Sequence, residues 1–345
     1  MTQATTMTPD ELEARISRIF IRCGASQEAA GAVARVITAA ERDHCKSHGV
    51  HRVEGCLRVL KAGKVVADAV PDVQAGEGPI VHINAGGNYA NVAYEKARPA
   101  LLERARKHGL AALVINECLH FSALWYEVED LAREGVAALS MCPSYAVMAP
   151  SGGREPLLGT NPFAFGWPRP GEHPYVFDFA TSVTARGEIE MHKRAGKPLP
   201  EGWAVDADGQ PTTDPQAALD GAMLPFGGHK GSAIATMVEL MAGAMLGDFM
   251  SREALDFMGT TRLLPRHGAL VLVFDPQAFA RGSQRDPIAE GERLLESIAE
   301  QGARLPSQRR FAARRKTEEE GMALSEEEIA MLERFEAEGL DAIRD

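Results

Sequence analysis

The chain has 345 residues, 45% of them hydrophobic and 25% charged. Such proportions fit one large soluble domain or about two to three compact ones, and they exclude wholesale disorder, a collagen-like repeat and a coiled-coil rod. Acidic groups outnumber Lys plus Arg by 48 to 37, a net charge of -11, which argues against a nucleic-acid partner but leaves room for one small anion held by a few well-placed Arg or Lys.

The chain opens with helices. Thr8-Pro9-Asp10-Glu11 is a capping box with proline at the first helical position, and Gly24 ends the segment. The acidic and basic residues Asp10, Glu11, Glu13 and Arg15 stand where a signal peptide would need an apolar run, so a cytoplasmic protein is expected. Ser26 caps a second helix running to about Arg42, and Val53, Leu57 and Leu60 mark a third that closes at Gly63. β-rich runs then appear at Ile80–Ile83, Ala111–Ile115, Val136–Met141, Pro162–Phe165, Tyr175–Phe179 and Ala269–Phe274. Helices are expected between several of them, over Val92–His108, Ala123–Glu134, Thr184–Arg194 and Gly231–Gly247. The last of these carries Glu239 and is too short for a bilayer, which takes roughly 20 apolar residues, so no membrane partner is expected.

Beyond about residue 285 the chain turns polar. A basic run (Arg309, Arg310, Arg314, Arg315, Lys316) precedes Glu318-Glu319-Glu320, and Ser325 caps a last helix with Glu326, Glu327 and Glu328 in its first turn. The expected organisation is a helical part at 1–75, a central α/β part at 76–284, and a helical part at 285–345 that packs back on the first. The five cysteines, Cys23, Cys45, Cys56, Cys118 and Cys142, form no CxxC pair and read as reduced thiols.

No G-x-G-x-x-G, G-x-S-x-G or H-E-x-x-H occurs, and Gly227-Gly228-His229-Lys230-Gly231-Ser232 has the wrong order for a P-loop. The densest polar cluster is Asp43-His44-Cys45-Lys46-Ser47-His48-Gly49-Val50-His51-Arg52. His44 and His48 at i,i+4 could bind a metal on a helix, but Gly49 breaks it and no further ligand completes the set, so no metal is expected. The catalytic reading pairs Ser47 with His48, a general acid/base whose pKa lies near neutrality. Arg52 can fork onto a substrate carboxylate; a solvated helix end is the dull alternative. After the strand at 111–115, His120-Phe121-Ser122-Ala123-Leu124-Trp125 forms a turn whose backbone N–H groups suit a phosphate or carboxamide, although on this segment alone Phe121, Leu124 and Trp125 read more readily as core of the next helix. Three weaker segments are Pro156 to Pro162, Phe177 to Ser182 leading to Glu188, and Gly228 to Ser232 at a helix start where Lys230 could meet an anion.

Ser47-His48-Gly49 with Arg52, the His120-Phe121 turn, Glu155-Pro156-Leu157-Leu158-Gly159-Thr160-Asn161-Pro162, Asp178-Phe179-Ala180-Thr181-Ser182 and Leu224-Pro225-Phe226-Gly227-Gly228-His229-Lys230-Gly231 occur in this order. Together they resemble the malate/L-lactate dehydrogenase type 2 oxidoreductases over nearly the whole chain. Malate and lactate enzymes of that family usually carry Asn-His-Phe-Gly followed by small residues and paired tyrosines. Here the segment is Leu119-His120-Phe121-Ser122-Ala123-Leu124-Trp125-Tyr126, similar to the Δ1-piperideine-2-carboxylate/Δ1-pyrroline-2-carboxylate reductase branch.

Alternating strands and helices alone suggest a doubly wound parallel sheet. The resemblance implies instead an α/β fold with a mixed, largely antiparallel sheet, a non-Rossmann cofactor site and helical N- and C-terminal parts. It implies a homodimer with the active site near the interface, and NADPH-dependent reduction of cyclic imines to L-pipecolate and L-proline. It assigns a relay to Ser47, His48 and Glu188, where relatives carry Asp, and substrate binding to Arg52 and Thr160. Cofactor contacts fall on His120, Phe121, Ser122, Ala123, Leu124, Asp178, Phe179, Ala180, Gly228, His229, Lys230, Gly231 and Ser232, with Arg309 and Arg310 as added cations. The nearer alternative is a 2-hydroxy-acid dehydrogenase acting on malate, lactate or ureidoglycolate; the farther ones are a non-enzymatic binding protein and a metal hydrolase using His44, His48 and His51.

Overall fold

The computed structural model describes residues 5–171 and 173–344. The caps foreseen at the N-terminus form. The Thr8 hydroxyl accepts from the Glu11 amide while the Glu11 carboxylate accepts from the Thr8 amide, which starts α1 (Pro9–Arg22). Ser26 Oγ accepts from the Ala29 amide and starts α2 (Gln27–Arg42). Alanines bury most of α2 and let α1 pack close. A 3-10 turn at Lys46–His48 then leads into α3 (Arg52–Lys61).

The strands in chain order are β1 (Thr5–Met7), β2 (Asp72–Ala75), β3 (Ile80–Asn84), β4 (Leu110–Leu119), β5 (Ala137–Met141), β6 (Phe163–Trp167), β7 (Tyr175–Phe179), β8 (Ala204–Val205), β9 (Pro211–Thr212), β10 (Ala222–Met223), β11 (Arg266–Phe274) and β12 (Met322–Leu324). The main sheet runs β2-β3-β4-β11-β5-β6-β7. Only β3 and β4 pair in parallel, joined by the crossover helix α4 (Ala90–His108); the other pairings are antiparallel. The doubly wound expectation therefore fails and the mixed sheet stands. Its cause is β11, which arrives late in the chain and enters the sheet between β4 and β5. α5 (Trp125–Arg133) covers β5, β6 and β7.

A smaller lobe is built from β8, β9, β10, α6 (Arg186–Arg194) and α7 (Pro215–Asp220), around Met148, Leu158, Ile189 and Met223. The helix expected over Gly231–Gly247 is instead α8 (His229–Val238), a π turn at Glu239–Gly243 and a 3-10 turn at Ala244–Leu246. The regular helix stops where Glu239 turns inward. Its carboxylate accepts from Asn161 Nδ2 at 2.8 Å and from the Ser251 amide at 2.9 Å, the first residue of α9 (Ser251–Met258).

After the short α10 (Pro276–Phe279) and the exposed α11 (Pro287–Glu300), the chain returns to its beginning through α12 (Gln308–Glu320) and α13 (Glu326–Glu338). β12 pairs antiparallel with β1, Met322 opposite Met7. Arg15 grips Glu336 through two bonds of 2.8 and 2.7 Å, and Leu12, Ile16 and Phe20 share one core with Leu332 and Phe335.

Candidate active site

Two residues after α2 the backbone does what a helix cannot. His44 has φ +56°, so His44 and His48 do not share a helix face, and among the described residues no group of three or more His, Cys, Asp or Glu is placed for a metal. The 3-10 turn that follows presents Ser47 Oγ 2.9 Å from His48 Nδ1. Gly49 is required there, because a Cβ would collide with the Glu41 carboxylate, which accepts from the Val50 amide at 3.0 Å. The other Glu41 oxygen pairs with Lys46, whose Nζ also lies 3.8 Å from Glu328 on α13. Lys46 is thus a tether for the turn, a part that its place beside Ser47 in the sequence does not disclose.

Arg52 begins α3 and donates from Nε to the Ser47 carbonyl at 2.8 Å. No carboxylate among the described residues lies within ion-pair distance of it, so its Nη groups are free to fork. His48 does not have the near-neutral pKa expected of it. Burial, then Arg52, His51 and His120, pushes it down to about 3, and its imidazole is neutral. His120 is also held at about 3, by burial and by His267, whose ring stacks on it at 5.9 Å. His267 Nδ1 donates to the Gly268 carbonyl at 2.9 Å. Sequence reasoning missed His267, because it comes from β11, some 150 residues downstream of His120.

Glu188 makes no hydrogen bond or ion pair with His48 among the described residues. It sits half-exposed on α6, and its carboxylate faces His192 Nε2 at 3.7 Å. Of the expected relay, the Ser47–His48 contact is the one formed here. The same helix supplies a residue the sequence reading passed over: Arg186, which together with Arg52 acts on the Tyr145 hydroxyl. Thr160 sits in a loop held from below. Its carbonyl accepts from the Thr181 amide and hydroxyl, and Asn161, at φ +32°, reaches Glu239. A Cβ on Gly159 would come within 2.6 Å of Ser251 Oγ, so the loop can close only over glycine.

The expected cofactor residues divide in two. Phe121 and Leu124 are core: Phe121 meets Tyr89 edge-on at 6.0 Å, and Leu124 is buried beside Trp125. Ser122 is buried as well, and Ala123 is half-buried. Asp178 is committed as well, its carboxylate accepting the Trp125 amide at 2.9 Å, with burial raising its pKa to about 6. Arg310 is the clearest correction. It is buried over the Trp125 ring at 4.0 Å and paired with Asp43 and Glu129, so it has no charge to offer a phosphate. Arg309, next to it, is exposed and unpaired among the described residues.

Of the remaining positions Gly231 is buried and the others are accessible. Phe179 is exposed against Phe163 and Phe226, Ala180 follows it at the strand end, and Gly227 and Gly228 take φ +55° and +61° to turn into α8. Gly231 packs against the Phe226 carbonyl, and Ser232 Oγ accepts from the Ser151 amide at 3.1 Å. His229 and Lys230 stay exposed at the helix N-terminus, without an ion pair among the described residues. Backbone donors, a helix dipole and free cations fit an anionic nucleotide. Two surface cavities of about 410 and 470 Å³ open elsewhere, and neither is lined by Ser47, His48 or Arg52.

The family model described as malate/L-lactate dehydrogenase matches residues 7–333. The chain is 62% identical over 344 residues to a Δ1-pyrroline-2-carboxylate reductase of Agrobacterium fabrum, covering 99% of this chain and 100% of that one. It is 51% identical to a Δ1-pyrroline-2-carboxylate/Δ1-piperideine-2-carboxylate reductase of Pseudomonas aeruginosa, over 95% of this chain and 99% of the relative. The crystal structure of a Δ1-piperideine-2-carboxylate reductase from Pseudomonas syringae superposes with a TM-score of 0.91 at 39% identity, covering 96% and 99% of the two chains. With the match running through both the Ser47–His48 turn and the returning C-terminal helices, the chain belongs to the malate/L-lactate dehydrogenase family.

Proposed function

We infer that this oxidoreductase reduces cyclic imines carrying a 2-carboxylate, Δ1-pyrroline-2-carboxylate to L-proline and Δ1-piperideine-2-carboxylate to L-pipecolate, with NADPH. The similar reductases support the substrate class. The observation that carries the reading is the pairing of an unmatched Arg52 with a neutral His48. The Arg52 fork holds the substrate carboxylate bidentately. The nicotinamide, when bound, supplies the hydride that reaches C2. A ring nitrogen that is already protonated needs no further proton, because hydride arrival turns the iminium directly into the amine. His48, oriented by Ser47, then has only to accept a hydrogen bond from that N–H. A ketone would instead need a proton at oxygen as hydride arrives, and a neutral imidazole is a poor donor.

Lys230 and Arg309 carry the preference for NADPH, as cations free to meet an extra phosphate on an otherwise acidic protein. A homodimer would cover the apolar side chains exposed after α8, notably Leu240 at 57% and Met245 at 62%. The deciding assay follows NADPH oxidation with both cyclic imines and with pyruvate and oxaloacetate. Turnover with the imines and little with the open-chain acids is expected; equal efficiency on both classes would remove the reading.

A further inference from the structure

Beneath the His120–Leu124 turn lies a carboxyl group with no cation. Glu127, on the first turn of α5, is 4% exposed, and Asn91 at the start of α4 is 1% exposed. Asn91 Nδ2 donates to Ser122 Oγ at 3.2 Å and lies 3.5 Å from Glu127 Oε1. Two acceptors in this group, Asn91 Oδ1 and Glu127 Oε2, are buried without any hydrogen-bond partner. Leaving both unsatisfied is costly, and two acceptors can satisfy each other only if the carboxyl holds a proton.

We propose that Glu127 is a positioning residue of the cofactor turn: its carboxylic acid donates to Asn91 Oδ1, and the fixed Asn91 amide holds Ser122. The inference rests on the reading of residues 120–124 as a cofactor contact. The charged neighbours agree, against one opposing contact from the Glu127 backbone amide. Asp178 at the end of β7 and Asp130 on α5 oppose a second negative charge, and the other titratable neighbours are Tyr94 on α4, Tyr126 on α5, Cys118 on β4 and Cys142 beyond β5. No Lys or Arg acts on Glu127. Arg310 and Arg314 are spent on Asp43 and Glu129. Burial foremost, with these carboxylates adding to it, raises the Glu127 pKa to about 8 against a lowering hydrogen bond from its own backbone amide. Above that pH the bare carboxylate oxygen would face the Asn91 Oδ1 acceptor, Asn91 would lose its fixed orientation, and the turn would lose its anchor.

Glu127→Gln keeps the shape and an N–H for Asn91 Oδ1 but cannot titrate. NADPH affinity is to be measured by fluorescence from pH 7 to 9.5 for the wild type and this variant. Loss of one such bond predicts that the wild-type Kd rises roughly three- to tenfold across pH 8 while the variant stays flat and matches the wild type at pH 7. Hydrogen exchange at residues 120–124, with and without NADPH, separates the two layers. Protection by NADPH together with a pH-dependent difference between wild type and variant supports the proposal. Protection with the same pH response in both proteins overturns the role of Glu127. No protection overturns the turn reading itself and the cofactor role with it. If Glu127→Gln weakens NADPH tenfold at pH 7, the acid–amide pairing is wrong.

Discussion

Two charged neighbourhoods flank the end of α2, and they treat charge in opposite ways. On one side, Asp43 and Glu129 receive Arg310 and Arg314, with bonds of 2.9 Å from Arg314 Nε to Asp43 and 2.6 Å from Arg314 Nη1 to Glu129. All four side chains are buried, and attraction to the guanidinium groups holds both carboxyls below the usual range against the push of burial. On the other side, only four residues on, Ser47, His48 and Arg52 leave a guanidinium without a carboxylate and a histidine without a charge. Matched charge there serves the fold, tying α12 to α2 and α5. Unmatched charge here waits for a ligand to complete it.

Breaking the matched side has the largest expected effect. Asp43→Ala leaves two buried guanidinium groups to share Glu129, a loss of about 3–5 kcal/mol in stability, read as a lower Tm. Replacing Asp43 and Arg314 together restores one cation to one anion, and the double variant should recover part of that loss. Additive losses would show that the four groups do not act as a unit.

Breaking the unmatched side should cost function and leave stability alone. Arg52→Lys exchanges a fork for a point charge, and KM for the cyclic imine should rise about ten- to a hundredfold, the scale of one charge-assisted bond, with Tm unchanged. An unchanged KM would place the carboxylate elsewhere. His48→Ala sharpens the comparison further. Because the iminium brings its own proton, the imine should lose at most roughly tenfold, whereas reduction of a 2-oxo acid loses more of the roughly 10²–10⁴ that general acid catalysis supplies. In the free enzyme His48 is deprotonated above pH about 3, so kcat/KM between pH 5 and 8 should carry no step from it. A step that disappears in His48→Ala would show that the imidazole is charged after all.

His48 and His120 also bear on acid stability. Both are held below their unfolded value of 6.5, so the unfolded chain binds more protons as pH falls below that value, and stability declines there.

Much of this was legible from residue types and spacing. The capping residues Thr8, Ser26 and Ser325 start the helices expected of them, and the Ser47–His48 contact and the unpaired Arg52 stand where the motif put them. What escaped is non-local. β11 enters the sheet between strands that precede it by more than a hundred residues, and strands such as β9 are too short to carry an alternating pattern. The same limit explains the errors in the site. Arg309 and Arg310 look alike in a basic run, and only the partners across α2 and α5 tell them apart. Glu188 matches a motif in sequence, and in the smaller lobe its carboxylate faces His192 on its own helix.

The smallest expected effect tests that last distinction between neighbours. Arg309 is exposed on α12 and paired with nothing described, so Arg309→Ala removes one solvent-screened cation. Exposed pairs are worth about 0.2–1 kcal/mol, so the preference for NADPH over NADH should fall roughly two- to fivefold with Tm unchanged. The effect should shrink further as salt rises, because screening shortens the reach of an exposed charge to roughly 8 Å at physiological ionic strength. Arg310→Ala should do the reverse. It strips a buried partner from Asp43 and Glu129 and a cation from the Trp125 face, lowering Tm before it alters the choice of cofactor. Equal loss of both cofactors in Arg309→Ala would place the extra phosphate away from α12 and leave Lys230 to carry the preference alone.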